Sequence, residues 1–156
     1  MSHGAIPPAK PKITSYRDLN VYQLAHSLAV QVHALTMNLP KHEMYEEGAQ
    51  VRRSSKSIPA NLVEGFGRRR YKNEYLRFLV FAHASCDETI EHLRLLKETA
   101  SSPAAQVDPL IGAYEELSRK LNRFIAAVER SHISQPSNLH LVSCILHLAS
   151  CILHLR

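Results

Sequence analysis

Residues 108–128 read DPLIGAYEELSRKLNRFIAAV, and this stretch contains the clearest structural pattern in the chain. Asp108 has the position of a helix N-cap and Pro109 that of the first helical residue. Apolar side chains then recur at near-heptad spacing, at Leu110, Tyr114, Leu117, Leu121, Phe124, Ile125 and Val128. Because this spacing places them on one face of a helix, the stretch predicts an amphipathic helix that fades near Arg130.

Three further helices are predicted upstream of this stretch, over about residues 18–39, 45–64 and 73–99. Pro40 ends the first of them, since proline disfavours helical backbone in the residue before it. The connections between the four segments are short, and short connections join antiparallel neighbours. The sequence therefore predicts an all-α fold, an antiparallel up-down four-helix bundle.

The chain length of 156 residues suits one domain with one core, which we place at residues 16–130. Residues 1–15 contain three prolines and no apolar run, so we expect a disordered lead-in and not a signal peptide. The three cysteines form no CxxC pair. This pattern favours reduced thiols in a cytoplasmic protein.

Residues 131–156 form a tail that contains an internal repeat. The hexapeptide SCILHL occurs at 143–148 and again, seven residues later, at 150–155. A seven-residue repeat keeps one face in register along a helix. We interpret the tail either as a short apolar helix that docks on a partner or as an unstructured segment. Its histidines and serines argue against a membrane span, so no membrane association is expected.

Positive charge is concentrated in residues 52–77. This segment holds eight basic and two acidic residues, a net charge of +6, whereas the whole chain carries +5, so the remainder sums to −1. Such a patch favours anionic partners. We predict that nucleic acid is bound by its basic residues, which are Arg52, Arg53, Lys56, Arg68, Arg69, Arg70, Lys72 and Arg77.

Phosphate is the anion that this cluster favours. The cations from Arg68 to Lys72 lie in the turn before the third predicted helix and at its start. The helix dipole favours acidic groups at this position, so an external anion would offset the unfavourable positive charge. Arginine and lysine neutralise phosphates and release counterions. Tyr71 and Tyr75 lie among the cations and are candidates for stacking on unpaired bases. The alternative is a solvated basic turn in which some arginines pair with neighbouring acids.

The second predicted helix carries a structural motif. Pro59 lies inside it and predicts a kink near residues 56–58, because proline removes one backbone hydrogen bond. Gly65 and Gly67 are predicted to mark its exit.

Polar residues on the second and third predicted helices are expected to hydrogen-bond across the bundle. Asn61 and Glu64 on the second helix are three residues apart, and so are Ser85 and Glu88 on the third. This spacing places each pair on one helical face. Buried polar groups of this kind require partners. The expected members of the network are Ser57, Asn61, Glu64, Ser85 and Glu88.

Catalysis has little support in the sequence, which contains neither a Gly-rich phosphate loop nor a nucleophile elbow. A divalent metal site remains the alternative, since His83, Asp87, Glu91 and His92 fall near one face of the third predicted helix. Cys86 lies on the apolar stripe and is expected in the core. We therefore predict a non-catalytic protein without a cofactor or a metal.

Residues 50–68, QVRRSSKSIPANLVEGFGR, are similar to the signature of a known family. It comprises four-helix bundle proteins first described as products of intervening sequences in bacterial 23S rRNA genes. The segments YRDL at 16–19, EYLRFL at 74–79 and SCDETIEHL at 85–93 also resemble this family. The resemblance covers about residues 16–128, and the tail has no recognised counterpart.

The resemblance implies a bundle that assembles into ring-like homo-oligomers, typically pentamers. The family includes relatives of the accessory variability proteins of diversity-generating retroelements, so the resemblance implies nucleic acid, RNA or DNA, and a reverse transcriptase as partners. Tyr71 stands where the family often has a small hydroxyl residue, which strengthens the anion-binding interpretation. We expect an oligomeric nucleic-acid-binding protein; the alternative is a scaffold bundle that binds protein and has no direct nucleic-acid role.

Overall fold

The computed structural model describes residues 13–131, which form a short 3-10 turn (Tyr16–Asp18) and five helices. The expectations for residues 1–12 and for the tail after Ser131 lie outside the described residues. No strand occurs within the described range. The helices are α1 (Asn20–Thr36), α2 (Lys41–Tyr45), α3 (Glu47–Gly67), α4 (Lys72–Glu98) and α5 (Ala104–Ser131).

The four long helices pack around one core. α1 contacts α3 and α5, and α4 contacts the same two helices from the other side. Each long helix contributes side chains that are fully buried, which is what an apolar stripe on each helix requires. The most deeply buried include Val32, Val51, Leu62, Leu79, Leu93 and Leu117. The predicted all-α four-helix bundle is confirmed.

The first long helix ends three residues earlier than predicted, at Thr36. The Thr36 hydroxyl is buried and donates to the Val32 carbonyl at 2.9 Å, so it is satisfied within α1. Leu39 then folds back into the core, and Pro40 becomes the N-cap of α2. α2 was not predicted, because five residues are too few to show a helical period.

α3 runs without a break from Glu47 to Gly67 with Pro59 inside, and the kink expected near residues 56–58 stays a prediction. Gly67 is the last residue of α3, as the predicted exit required, whereas Gly65 lies within the last turn of the helix. A Cβ at position 65 would lie 3.0 Å from the Phe78 Cβ, so Gly65 allows α3 and α4 to approach closely.

α5 begins at Ala104, five residues before Pro109, the predicted first helical residue, so the assignment of Asp108 as N-cap is wrong. The extra turn buries Val107 completely, and this burial favours the longer helix. The Pro103 carbonyl accepts the first hydrogen bond, from the Gln106 amide. Asp108 instead forms an ion pair with Lys97 of α4, at 2.7 Å.

Hydroxyl groups join α3 to α4. The Ser85 hydroxyl donates to Ser57 Oγ at 3.0 Å, and Asn61 Nδ2 donates to the Ser57 carbonyl and Oγ. One turn towards the start of α3, the buried Thr89 Oγ1 lies 2.9 Å from Ser54 Oγ. Ser57, Asn61 and Ser85 thus lie in an interhelical network, to which the structure adds Ser54 and Thr89.

Two expected members of this network lie outside it. The Glu64 carboxylate pairs with Arg68 at 2.7 Å, and Glu88 lies 3.7 Å from His92, with both acidic side chains at least half exposed. A buried carboxylate is costly without a charged partner, whereas a hydroxyl can be satisfied by the carbonyl one turn before it. The short hydroxyl side chains therefore occupy the interface and the glutamates face the surface.

Candidate nucleic-acid interface

The connection between α3 and α4 forms an open depression at one end of the bundle. Gly67, Arg69, Arg70 and Tyr71 line it, and its volume is about 500 Å³. Arg70 and Tyr71 are exposed, and Tyr71 is 66% accessible. Arg70 has no ion-pair or hydrogen-bond partner among residues 13–131. The depression thus presents at least one uncompensated cation beside an accessible aromatic ring.

Arg69 is held in place by the end of α3. Its guanidinium stacks over the Phe66 ring at 4.0 Å, and Nη1 donates to the Phe66 carbonyl at 2.8 Å. A guanidinium that stacks on a ring and donates to a carbonyl has a fixed orientation. The backbone and ring of Phe66 therefore preorganise this cation at the depression.

Arg68 and Arg77 are partly neutralised, in contrast to Arg70. Arg68 lies 2.7 Å from Glu64 and 3.6 Å from Glu74, and Arg77 lies 3.9 Å from Glu74. All four side chains are substantially exposed, so these pairs contribute little to stability. They do reduce the local positive potential, which makes Arg68 and Arg77 weaker candidates than Arg70.

Lys72 has a structural partner that the sequence did not indicate. Its ammonium donates to the Glu129 carbonyl at 2.8 Å, at the C-terminal end of α5. A cation is unfavourable at the start of α4 but favourable at the end of α5, where helix carbonyls lack partners. The helix-dipole conflict predicted for Lys72 is thus offset within the protein, without an external anion.

The basic residues of α3 do not form one cluster with the connection. Arg53 and Lys56 are exposed, but they lie about 21 Å and about 16 Å from Gly67 along the helix axis, at about 1.5 Å per residue. Arg52 turns inward and its Nη2 donates to the Met44 carbonyl at 2.8 Å. Arg52 therefore ties α2 to α3 and does not belong to the candidate surface.

Two further cations reach the depression's end of the bundle through the fold. The Tyr16 ring lies 6.5 Å from Phe66, and the Arg17 guanidinium lies over Tyr16 at 4.9 Å. Arg130 follows Glu129, whose carbonyl binds Lys72. We call the resulting surface the basic end, and its members are Arg17, Arg68, Arg69, Arg70, Lys72 and Arg130.

Tyr75 is not available for stacking on bases. It is 7% exposed and packs edge-on against Phe124, with the ring centroids 6.2 Å apart. Burial raises the pKa of Tyr75 to about 12. Tyr71 alone of the two predicted stacking residues remains accessible.

A serine, a histidine and an aspartate meet between α4 and α5. Ser118 Oγ lies 2.9 Å from His83 Nε2, and Asp87 lies 3.4 Å from His83 Nδ1 and 3.1 Å from Ser118 Oγ. In a hydrolytic triad the carboxylate hydrogen-bonds the histidine, and the histidine alone accepts the proton of the serine. Here Asp87 competes for the Ser118 proton, and backbone amides in the middle of α5 are already bonded within the helix. We interpret the cluster as an interhelical hydrogen-bond network.

The four residues considered for a metal site are separated. His83 and Asp87 face α5, whereas His92 turns to α3, with its Nδ1 at 2.5 Å from Glu47. Within residues 13–131 no group of three or more histidine, cysteine, aspartate or glutamate side chains is arranged to hold a metal. Cys86 lies fully buried in the core, and burial raises its pKa to about 12.

None of the helices between residues 13 and 131 is long and apolar enough to span a membrane.

These features define a class of protein, a helical bundle whose main surface feature is a basic end. A model of the 23S rRNA-intervening sequence protein family matches residues 17–123. Since this match covers more than half of the chain, the protein belongs to that family, as the signature at residues 50–68 indicated.

A solved structure supports the fold. The chain is similar to a protein of unknown function from the S23 ribosomal protein family of Bacteroides thetaiotaomicron, with a TM-score of 0.63 and 23% identity. The similarity covers 68% of this chain and 95% of that chain. At this identity the likeness shows the fold alone. No protein of curated function matches the chain at a significant level.

Proposed function

We propose that the protein is a non-catalytic nucleic-acid-binding protein that holds phosphates at its basic end. The observation that carries the proposal is the depression at the α3–α4 connection, which is lined by the exposed ring of Tyr71 and by Arg70, a cation without a partner among residues 13–131. Arginine binds phosphate in a two-pronged way, and binding releases counterions. The name of the family refers to sequences within 23S rRNA genes, which adds support for RNA.

Single-stranded RNA is the form that this surface fits best. An accessible aromatic ring between cations stacks on an unpaired base, and such stacking is worth about 1–3 kcal/mol per base. Tyr71 offers that ring, and stacking on it tolerates any base, since every base has a flat face. We therefore expect weak sequence preference and strong dependence on salt.

We also infer that the bundle is antiparallel and up-down, and that it assembles into a ring, pentameric as the family resemblance implies. The pairs Ser57–Ser85 and Ser54–Thr89 show residue numbers rising in α3 as they fall in α4, which supports the topology. Exposed apolar residues on α4, which are Val80, Phe81 and Leu95, support contacts between copies. A ring presents one copy of the basic end per subunit, so several weak phosphate contacts act together and raise the overall affinity for nucleic acid.

The second candidate function is a protein-binding scaffold, with a reverse transcriptase as the partner that the family resemblance implies. Phe81 favours it, since this ring is 43% exposed and Arg77 stacks on it at 5.5 Å. Aromatic and arginine side chains are enriched at protein interfaces. Such a scaffold would use the side of α4 and would not require the basic end.

Fluorescence anisotropy with a labelled single-stranded RNA tests the first function. We expect the affinity to fall by about tenfold or more between about 50 and 200 mM salt, as several phosphate contacts require. Arg70→Glu should weaken binding about tenfold, by removing one contact and adding a repulsive charge. The matched control is Lys41→Glu, which makes the same charge change at the start of α2, at the opposite end of the bundle.

Loss of affinity in the Arg70 variant with none in the Lys41 variant supports the basic end. Equal losses in both would mean that only net charge matters. An RNA affinity that changes neither with salt nor on Arg70→Glu would rule out phosphate contacts at this surface and would favour the scaffold function.

A further inference from the structure

An apolar groove lies at the same end of the bundle as the depression, at the edge of the core. Its volume is about 290 Å³, and its walls come from the segment before α1 and from α3, α4 and α5. The apolar residues that line it are Ile13, Leu19, Phe66, Tyr75, Phe124 and Val128.

The groove exposes apolar surface that a covering segment would remove from water. Ile13 on its rim is 53% exposed, and Phe124 is only partly buried. Burial of apolar area contributes about 25 cal/mol per Å². The other apolar lining residues, Leu19, Phe66, Tyr75 and Val128, are at most 8% exposed and form the floor of the concavity. An apolar concavity with an exposed apolar rim is typical of a contact surface.

The rim also holds the residue from which the rest of the chain continues. Ser131 lines the groove, and residues 132–156 follow it. This segment carries one formally charged side chain, Arg156, and it contains the apolar hexapeptide SCILHL twice, at 143–148 and 150–155. Repetition at seven residues places both sets of Ile and Leu on one helical face.

The linker between Ser131 and the repeat is long enough for the repeat to return to the groove. Residues 132–142 span up to about 36 Å when extended, at about 3.3 Å per residue, and a helix with side chains is about 10–12 Å wide. A segment tethered at the rim is present at an effective concentration in the millimolar range. Tethering favours this segment over a partner in solution.

We propose that the groove is the docking site for residues 143–155 of the same chain, whose Ile and Leu side chains cover Ile13, Phe124 and Val128. The proposal does not depend on nucleic-acid binding. Arg69 lines both the groove and the depression, so the docked segment lies beside the basic end.

Thiol modification of the full chain tests the proposal, because the repeat carries its own probes, Cys144 and Cys151. Cys86 is fully buried in the native chain but also reacts in urea, so the labelled cysteines are distinguished by mass spectrometry of their peptides. We expect both repeat thiols to react at least about tenfold more slowly with an aromatic disulfide reagent in the native chain than in urea, as docking protects them. Ile13→Asp should abolish the protection, and Val30→Asp, an equally exposed position outside the groove, should keep it.

Two further variants separate the outcomes. Phe124→Gln alters a second wall of the groove, and Leu146→Asp with Leu153→Asp alters the repeat, so both should also remove the protection. Protection that disappears on dilution would assign the groove to the repeat of a second copy and overturn docking within one chain. Full reactivity in the native chain, or protection that survives both groove variants, would overturn the proposal altogether.

Discussion

Arg52 and Arg53 are neighbours of the same type, yet the structure gives them opposite roles. Arg52 reaches from α3 to the Met44 carbonyl of α2, while Arg53 is exposed and donates to the side chain of Gln50, three residues before it. One residue turns a helical position by about 100°, so adjacent positions face different surroundings. Charge alone therefore did not identify which of the two arginines belongs to the surface.

Replacement of Arg52 should affect stability and not RNA binding. We expect Arg52→Met to lower the free energy of unfolding by about 1–2 kcal/mol, because the Met44 carbonyl loses its charged donor. Arg53→Met is the matched control and should change stability by less than about 0.5 kcal/mol. Urea denaturation and RNA anisotropy on both variants check this. A loss of RNA affinity in a stably folded Arg52 variant would show that Arg52 contributes to RNA binding, contrary to this prediction.

At the scale of the helices, Gly65 shows how a glycine can be essential without a turn. It lies within α3, where a Cβ would meet the Phe78 Cβ at 3.0 Å and the Tyr75 ring at 3.3 Å. Gly67, two residues later, has no atom within 4 Å of such a Cβ. Close approach of α3 and α4 therefore depends on the first glycine alone.

The two glycines should respond oppositely to alanine. We expect Gly65→Ala to destabilise the bundle by about 1–3 kcal/mol, because α4 must move away. Gly67→Ala should stabilise it by about 0.4–1 kcal/mol, since alanine reduces the entropy of the unfolded chain. Thermal unfolding of the two variants measures the difference. Equal effects would show that α3 and α4 do not pack through Gly65.

The helices themselves were predictable, because apolar stripes at three- and four-residue steps are a property of the local sequence. The residues at which the helices begin and end were less predictable. Asp108 and Pro109 form a good local start signal, but burial of Val107 favours a start at Ala104. α1 similarly ends at Thr36, three residues early, and the chain turns there so that Leu39 is buried in the core. Tertiary burial decided these ends, and it is not visible in a local window.

At the scale of the whole molecule, the basic end is assembled from distant parts of the chain. Residues 68–72 were identifiable from their charge, but Arg17 and Arg130 join them only because the ends of three long helices meet there. Conversely, Arg53 and Lys56 were grouped with residues 68–72 by sequence and lie more than a helix diameter away. Proximity in sequence was therefore a partial guide to the site.

Buried ionisable groups make the bundle sensitive to alkaline pH. Burial raises the pKa of Cys86 and Tyr75 to about 12, from 9.0 and 10.0, and raises that of Tyr114 further. The unfolded chain therefore loses these protons first. The stability is fully present below about pH 9 and falls as the pH rises towards about 12, by about 1.4 kcal/mol per unit for each ionising group.

Urea denaturation at about pH 8, 10 and 11 checks this dependence. Tyr75→Phe should reduce the alkaline loss of stability, whereas Tyr45→Phe, at an exposed position, should leave it unchanged. A midpoint that is constant across this range would contradict the burial of these groups.

The most direct test of the basic end is to map where RNA touches the protein. Single-stranded RNA that contains 4-thiouridine is bound to the full chain, irradiated, and the cross-linked peptides are identified by mass spectrometry. We predict cross-links within residues 66–77, with Tyr71 as the main site, and weaker ones near Arg17 and Arg130. Cross-links confined to α2, or to the Arg94 and Arg119 face of α4 and α5, would contradict the account.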